Sequence, residues 1–237
     1  MEFPFRPIAV VRSCFKEKFG IPRQPGLVPE ARGVIELLPP FNRTEAVRGL
    51  ETASHIWIVF VFHEITADRP RATVRPPRLG GNRRLGVFAT RSGYRPNPVG
   101  ISAVELVSID EGPQGPALHV RGVDLLDGTP IIDIKPYLPY ADCIPEAMFS
   151  IAEDRPSGDT PVTFSSRAEA FCRHYEAANG VALAALVSGM LTMDPRPAYC
   201  RGSSDRRRYG TRLMDLDIRW ESSGGAFHVL EIRLLSD

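Results

Sequence analysis

The sequence predicts a mainly β chain, a barrel or a sandwich, followed by a smaller α+β part. Three observations predict it. Over the first 140 residues, short apolar runs are separated by Pro- and Gly-rich connections. No regular alternation of strand and helix patterns occurs, which excludes a doubly wound sheet. Past a boundary near residues 146–160, the apolar positions fall at helical spacing.

The elements follow in order. PIAVVR (7–12) and GVIELL (33–38) read as short strands. HIWIVFVFH (55–63) is apolar on both faces, as a central buried strand would be. RLGVFAT (84–90), ISAVELVSI (101–109) and ALHVRGVDLL (117–126) are the next strands. Asp127–Gly128 is a favoured tight-turn dipeptide, so TPIIDI (129–134) is expected to return along the preceding strand as a hairpin. EDRPSGDTP (153–161) has linker composition. Ser166 with Glu169 predicts a capping box ahead of Ala168, Phe171, Cys172 and Tyr175 at helical spacing. Asn179–Gly180 ends that helix, and Leu183, Leu186, Val187, Met190 and Leu191 form a second apolar stripe, read as core. Two late strands, near 212–220 and 226–234, close the chain.

The chain has 237 residues, 43% hydrophobic and 24% charged, with a formal net charge of +1. That is ordinary globular composition, and it excludes a globally basic nucleic-acid binder. The charge is unevenly placed. From Arg69 to Val104 there are eight arginines and no Asp or Glu. A local basic field on a neutral protein is the footprint of site-specific phosphate contact. The cysteines, at 14, 143, 172 and 200, show no short pair spacing, so neither a zinc site nor a disulfide framework is expected. Arg6 and Arg12 interrupt any apolar run near the start, and the longest such run, 56–62, is too short for a bilayer. A cytoplasmic location is expected.

Five segments stand out. In KEKFGIPRQPG (16–26), Pro22 and Pro25 bracket Arg23 and Gln24 on a stiff loop. Arg grips a carboxylate and Gln reads an adenine edge or an amide; an ordinary turn is the alternative. His63 and Glu64 sit where a buried strand emerges, as functional groups or as a polar strand cap. ATRSGYRPNPVG (89–100) places Tyr94 among Arg91 and Arg95, a stacking plate beside phosphate-reading charge; the alternative is a proline-pinned loop with solvated arginines. Asp127, Asp133 and Lys135 flank the tight turn, which is also compatible with a plain hairpin. DPRPAY (194–199) holds Asp194, Arg196 and Tyr199 on a loop that helix termination explains only in part. No GxGxxG follows a strand, and GxxxxGK[ST], GxSxG and HExxH are absent.

Together, FKEKFGIPRQPGLV (15–28), AVRGLE (46–51), TVRPPRLGGN (73–82), GVFATRS (86–92), RPNPVG (95–100), DLLDGTPIIDIKPYLPYAD (124–142) and DPRPAY (194–199) resemble the TsaA-like family. Its bacterial members are the TrmO tRNA methyltransferases. Glu64 stands where that family often has Gln. The resemblance implies a small β-barrel that binds S-adenosyl-L-methionine, over residues 1–147. It implies a smaller α+β domain that contacts tRNA, over residues 160–237. It also implies a homodimer with the cofactor near the subunit interface. The implied activity is N6-methylation of N6-threonylcarbamoyladenosine beside the anticodon of threonine tRNA. Matched position by position, the implied cofactor pocket comprises Pro22, Arg23, Gln24, His63, Glu64, Arg91, Ile101, Asp127, Gly128, Thr129 and Pro130, the backbone of that turn serving as an adenine reader.

The chemistry sets further requirements. The acceptor nitrogen is conjugated with a purine and a carbonyl, so a base must take its proton. His63, Tyr94, Asp194 and Tyr199 are the candidates. Arg78, Arg95 or Arg196 would bind the carboxylate of the substrate's threonyl group, while Arg69, Arg71, Arg75, Arg83 and Arg84, with Arg206, Arg207 and Arg208, would meet anticodon-stem phosphates. Two other readings remain open: a non-catalytic RNA- or nucleotide-binding barrel, which would bind tRNA but no methyl donor, and a small-molecule methyltransferase on the same fold, whose activity would not need the arginines.

Overall fold

The fold is that of a computed structural model, which describes residues 3–65, 71–76, 83–152, 156, 158–196, 200 and 206–235. Twelve strands and four α-helices are found among them. In chain order they are β1 (Ala9–Ser13), β2 (Arg32–Leu37), α1 (Thr44–Val47), β3 (His55–Val61), β4 (Thr73–Val74), β5 (Leu85–Gly86), β6 (Val99–Gly112), β7 (Gly115–Arg121), β8 (Pro130–Pro136), α2 (Pro139–Asp142), β9 (Val162–Phe164), α3 (Ser166–Asn179), α4 (Leu183–Thr192), β10 (Arg207–Leu213), β11 (Leu216–Ser223) and β12 (Ala226–Leu234).

Six strands close into an antiparallel barrel in the order β1-β2-β7-β6-β3-β8. Successive strand residues point to opposite faces, so every second side chain lines the interior. Ala9, Val11, Ile35, Ile56, Ile58, Val104, Leu118, Val120 and Ile131 are those residues, and all are essentially buried. The outer face of β3, apolar in sequence, is covered locally: Trp57 lies 5.7 Å from Tyr137 and donates through Nε1 to Asp142. That cover, and not a second sheet, explains why the strand is apolar on both faces.

The C-terminal sheet has the order β10-β11-β12-β9, with α3 and α4 packed on it. Its inner side chains, Leu213, Ile218, Trp220, Phe227, Val229 and Ile232, are buried. One apolar cluster runs without a break from the barrel interior into this sheet. The join is specific. Phe15 bridges to Leu213, Met214 donates its backbone N–H to the Cys14 carbonyl, and Phe19 stacks on Trp220 at 6.2 Å.

Several sequence expectations are corrected. Strand β7 stops at Arg121, because Gly122 turns the chain with φ +70°. The Asp127–Gly128 turn forms, but it is not a hairpin: β8 pairs with β1 and β3, and β7 pairs with β2 and β6. The turn is stitched to β1 instead, with Gly128 N–H donating to the Val11 carbonyl and Val11 N–H to that of Thr129. The real hairpin joins β6 to β7 across Pro113–Gln114. Only Leu85–Gly86 of the 84–90 run is strand; a 3₁₀ turn follows at Val87–Ala89, closed by the Thr90 hydroxyl on the Val87 carbonyl. The cap of α3 is Ser165, not Ser166, its hydroxyl accepting from Ala168 N–H. The first late strand divides into β10 and β11 at a turn where Met214 has φ +53°.

Candidate active site

In an antiparallel barrel, alternate strands begin and end at the same mouth. Here the ends of β1, β3 and β7 and the starts of β2, β6 and β8 share one mouth, as the pairs Ser13↔Gly33, Val61↔Val99 and Arg32↔Arg121 require. The segments after β1 (16–24), after β3 (63–64), before β6 (91–98) and between β7 and β8 (122–129) therefore emerge together. The topology thus gathers candidate residues that are spread along more than 100 residues of sequence.

Specific bonds tie these segments. Arg91 donates through Nη1 to Gln24 Oε1 at 2.5 Å. Lys18 donates to the Glu64 carbonyl and pairs with its carboxylate at 3.3 Å. Lys16 pairs with Asp127 at 2.8 Å, and the same carboxylate accepts from Ser13 N–H. Phe15 and Phe19 anchor the loop in apolar surroundings while Lys16 and Lys18 reach the mouth. Pro22 is buried, Arg23 is exposed, and His63 is exposed in the turn that follows β3. Ile101 presents an apolar side chain that is 48% exposed. The N–H groups of Asp127 and Gly128 are already bonded to the Phe15 and Val11 carbonyls. Thr129 is buried, with its hydroxyl on the Leu126 carbonyl. Adenine reading by this turn is thereby restricted to groups other than those two donors.

Asp124 opens the 124–142 string, three residues before that turn, but is not among the candidate residues drawn from it. In the structure its carboxylate accepts from the Ser102 hydroxyl at 2.7 Å. Burial pushes this carboxyl up to about 6, partly offset by the Ser102 bond and by the nearby charge of Arg91. Ser102 is itself buried, on the interior face of β6. The only sequence cue was a lone Ser on an otherwise apolar inward face. By contrast, burial raises the Cys14 and Cys172 thiols to about 12 and about 11, which leaves both unreactive at neutral pH.

The arginine-rich stretch forms a ribbon in which β4 pairs with β5. Arg71, Arg75 and Arg84, with Ser92 and Tyr94, line an open groove of about 740 Å³. The Arg71 guanidinium lies 4.9 Å from the centre of the Tyr94 ring, which is 42% exposed. Arg95 is turned inward and donates to the Thr90 and Ser92 carbonyls, so it shapes the loop. Gly93 packs so tightly on Phe62 and Ile65 that no Cβ fits there. Arg83 is exposed; Arg69 and Arg78 lie outside the described residues.

The C-terminal candidates sit differently. Arg196 is buried, paired with Asp194 through Nε and Nη2 and with Ser222 through Nη1, over the Phe227 ring. The pair is built into the sheet's inner packing. Arg206 holds Glu221 through two bonds, Arg208 approaches the same carboxylate at 3.6 Å, and Arg207 reaches the Cys200 sulfur. Tyr199 lies outside the described residues.

A closed barrel with a basic, aromatic-bearing ribbon at a mouth holding cation, amide and carboxylate is a non-Rossmann architecture suited to a nucleotide-like ligand and an anionic partner. Comparison with known proteins places it. Residues 10–143 match the tRNA-methyltransferase O N-terminal domain, and residues 157–235 match the TrmO C-terminal domain. The chain belongs to the TrmO family. It is 45% identical over 230 residues to the tRNA (adenine(37)-N6)-methyltransferase of Escherichia coli K12, covering 97% of each chain. It is 51% identical over 214 residues, 90% of each chain, to a putative S-adenosylmethionine-dependent methyltransferase, RcsF, of Pseudomonas aeruginosa. The crystal structure of TrmO from Pseudomonas aeruginosa superposes with a TM-score of 0.82 at 41% identity, over 98% of this chain and 99% of that one.

Proposed function

We propose that this chain is an S-adenosyl-L-methionine-dependent tRNA methyltransferase acting on N6 of an adenine, and that its acceptor is N6-threonylcarbamoyladenosine beside the anticodon of threonine tRNA. Full-length similarity to tRNA (adenine(37)-N6)-methyltransferase supports the first part. The observation that carries the reading in the structure is the convergence of the Gln24–Arg91 pair and the Arg71–Tyr94 groove on loops of one barrel mouth.

The mouth's donor set suits the cofactor. A zwitterionic, adenine-bearing sulfonium needs a cation, an amide, a carboxylate and an apolar bed. Arg91 and Arg23 offer the cation, Gln24 the amide, Glu64 and Asp124 carboxylates, and Ile101 the apolar surface. When bound, the cofactor supplies an electrophilic methyl group. The chain's own residues position the acceptor and handle its proton. Tyr94 stacks the unstacked base, and Arg71, Arg75 and Arg84 hold the flanking phosphates. His63 stands at the mouth as a proton acceptor, whereas the Asp194 carboxylate is occupied by Arg196. Asp124, fixed by Ser102, positions Arg91.

The division of labour follows: residues 1–147 form the cofactor-binding barrel and residues 160–237 the RNA-contacting part. The protein acts in the cytoplasm, where its substrate is; no described helix is long and apolar enough to cross a membrane. It works as a homodimer, and the exposed Tyr140, Ile144 and Met148 support a face covered by a second copy.

The test is direct. Purified protein is incubated with S-adenosyl-L-methionine and threonine tRNA, either carrying or lacking the threonylcarbamoyl group, and nucleosides are analysed by mass spectrometry. One added methyl on the modified adenosine is expected. Methylation of neither tRNA overturns the proposal, and equal methylation of both overturns the threonylcarbamoyl part. Sedimentation equilibrium checks the dimer.

A further inference from the structure

The loop that brings Pro22, Arg23 and Gln24 to the mouth is seated on the other half of the chain. From Phe15 to Phe19 its side chains alternate between two sides. Lys16 and Lys18 are exposed and turn to the mouth, where they pair with Asp127 and Glu64. Phe15, Glu17 and Phe19 turn to the C-terminal sheet. Phe15 is buried and bridges to Leu213. Glu17 Oε1 accepts from Arg212 N–H at 3.0 Å. The Phe19 ring lies 6.2 Å from that of Trp220, with the two planes within 8° of parallel.

The seat itself is fixed. Trp220 is buried, stacks on Tyr209 at 4.4 Å, meets Phe227 edge-on at 5.1 Å and donates through Nε1 to the Thr211 hydroxyl. Phe19 also lies 6.4 Å from Tyr209, so its ring joins a row whose other members belong to the sheet. Gly20 follows with φ +96°, and a Cβ there would lie 2.8 Å from Met190 Sδ on α4 and 3.1 Å from Thr211 Cγ2. The loop backbone is thus pressed against α4 and β10 two residues before Pro22. On the mouth side, Lys16 and Lys18 hold the loop by partly exposed ion pairs, which contribute little. The burial that fixes it comes from the sheet.

We propose that Phe19 is a positioning residue for the methyl donor, and that the C-terminal sheet completes the donor site by holding Phe19 against Tyr209 and Trp220. The proposal rests on the reading of Pro22, Arg23 and Gln24 as cofactor contacts. It goes beyond that reading, because the C-terminal half then acts on donor binding with no RNA present. The device is pre-organisation. A loop that occupies its binding-competent position for a fraction of the time binds with an affinity reduced by that fraction. The ring row keeps the fraction high.

The test is calorimetry on the full chain with S-adenosyl-L-methionine alone. Phe19→Ala should weaken donor binding about ten-fold, the loss expected when the competent loop falls to about a tenth of the population. Tyr209→Leu, a substitution in the C-terminal sheet, should weaken it several-fold. Phe19→Tyr and Tyr209→Phe keep the rings and should bind as wild type does. Phe19→Ala/Tyr209→Leu should bind no more weakly than Phe19→Ala, because both substitutions break one contact. Val162→Ala is the control: it trims partly buried packing on β9, at the opposite edge of the sheet from β10, and should leave donor affinity unchanged. Phe19→Leu, which keeps apolar bulk without the ring, serves should Phe19→Ala fail to fold. Wild-type affinity in the folded Phe19 variant, additive losses in the double variant, or an equal loss in Val162→Ala overturns the proposal. A wild type that binds no donor overturns the cofactor reading and this proposal together; a wild type that binds it, with Phe19→Ala unchanged, overturns this proposal alone.

Discussion

Ser102 donates its hydroxyl proton to Asp124 across 2.7 Å, joining the barrel interior to the loop that crosses the mouth. The bond holds a carboxylate where water is scarce. Its charged form is disfavoured by burial, and its pKa rises to about 6 from an ordinary 3.8. The folded state therefore holds its proton where the unfolded state has released it. That contribution to stability is complete below about pH 4 and is lost as pH rises through 6. At neutral pH the ionised group costs about 3 kcal/mol relative to the acid-stable limit. Asp124→Asn keeps an acceptor for Ser102 and does not ionise. The Tm difference between variant and wild type should move in the variant's favour between pH 4 and pH 7, by several degrees. A constant difference would show that the carboxylate is not buried as described. Methyl transfer should nonetheless fall at pH 7.5, because Arg91 loses its neighbouring charge.

Arg91 is the cation that faces this carboxylate and bonds Gln24. Arg91→Ala should weaken binding of S-adenosyl-L-methionine by about ten- to a hundred-fold, the range of one charge-assisted hydrogen bond of ~1.5–3 kcal/mol. Calorimetry with the methyl donor alone reads this directly. Arg91→Lys should rescue only part of it, since a point charge cannot serve Gln24 and a ligand in the same fork. Full affinity in the alanine variant would remove Arg91 from the cofactor site.

Much of this arrangement was legible in the sequence, and the reasons for the exceptions are physical. The barrel strands follow from two-residue periodicity, a local signal. The helices follow from apolar spacing and from Gly180, which has φ 65° at the end of α3. Pairing partners are a non-local property, and there the local cue misled. Asp127–Gly128 has hairpin chemistry, but its carboxylate finds Ser13 and Lys16, and the turn joins β1. The sequence also marks the arginines without saying which are free. Arg196 is buried in a pair with Asp194, while Arg219 and Arg233, 14 residues apart on the neighbouring strands β11 and β12, share one face. Asp124 opens the 124–142 string, but its raised pKa comes from burial by the folded barrel, which no local pattern shows.

The ribbon arginines make a charge prediction. Arg84 lines the groove with Arg71 and Arg75, and Arg83 beside it is exposed. Arg83→Ala/Arg84→Ala should weaken tRNA binding and reduce the salt slope by about 1.4–1.8, leaving cofactor affinity untouched. Filter binding across a salt series measures it. An unchanged slope would mean these arginines do not meet phosphate.

Gly93 allows the last prediction to separate position from presence. A Cβ added there would lie 2.4 Å from Ile65 Cδ1 and 2.6 Å from Phe62 Cγ, inside any real contact distance. Phe62 cannot easily yield, because its ring meets Phe60 edge-on at 5.0 Å and its N–H is bonded to the Pro98 carbonyl. The loop must then lift, and it carries Arg91, Ser92 and Tyr94. Gly93→Ala should cost about 1–3 kcal/mol of stability by overpacking. It should also reduce methyl transfer by a larger factor at temperatures where the protein stays folded, because a shift of about 1 Å at a positioning group costs on the order of a hundred-fold in rate. Gly86→Ala on the neighbouring strand is the control: nothing lies within 4 Å of its added Cβ. It should change stability by no more than about 0.5 kcal/mol. Equal losses in the two variants would mean that the loop's seat on Phe62 does not set the geometry of the mouth.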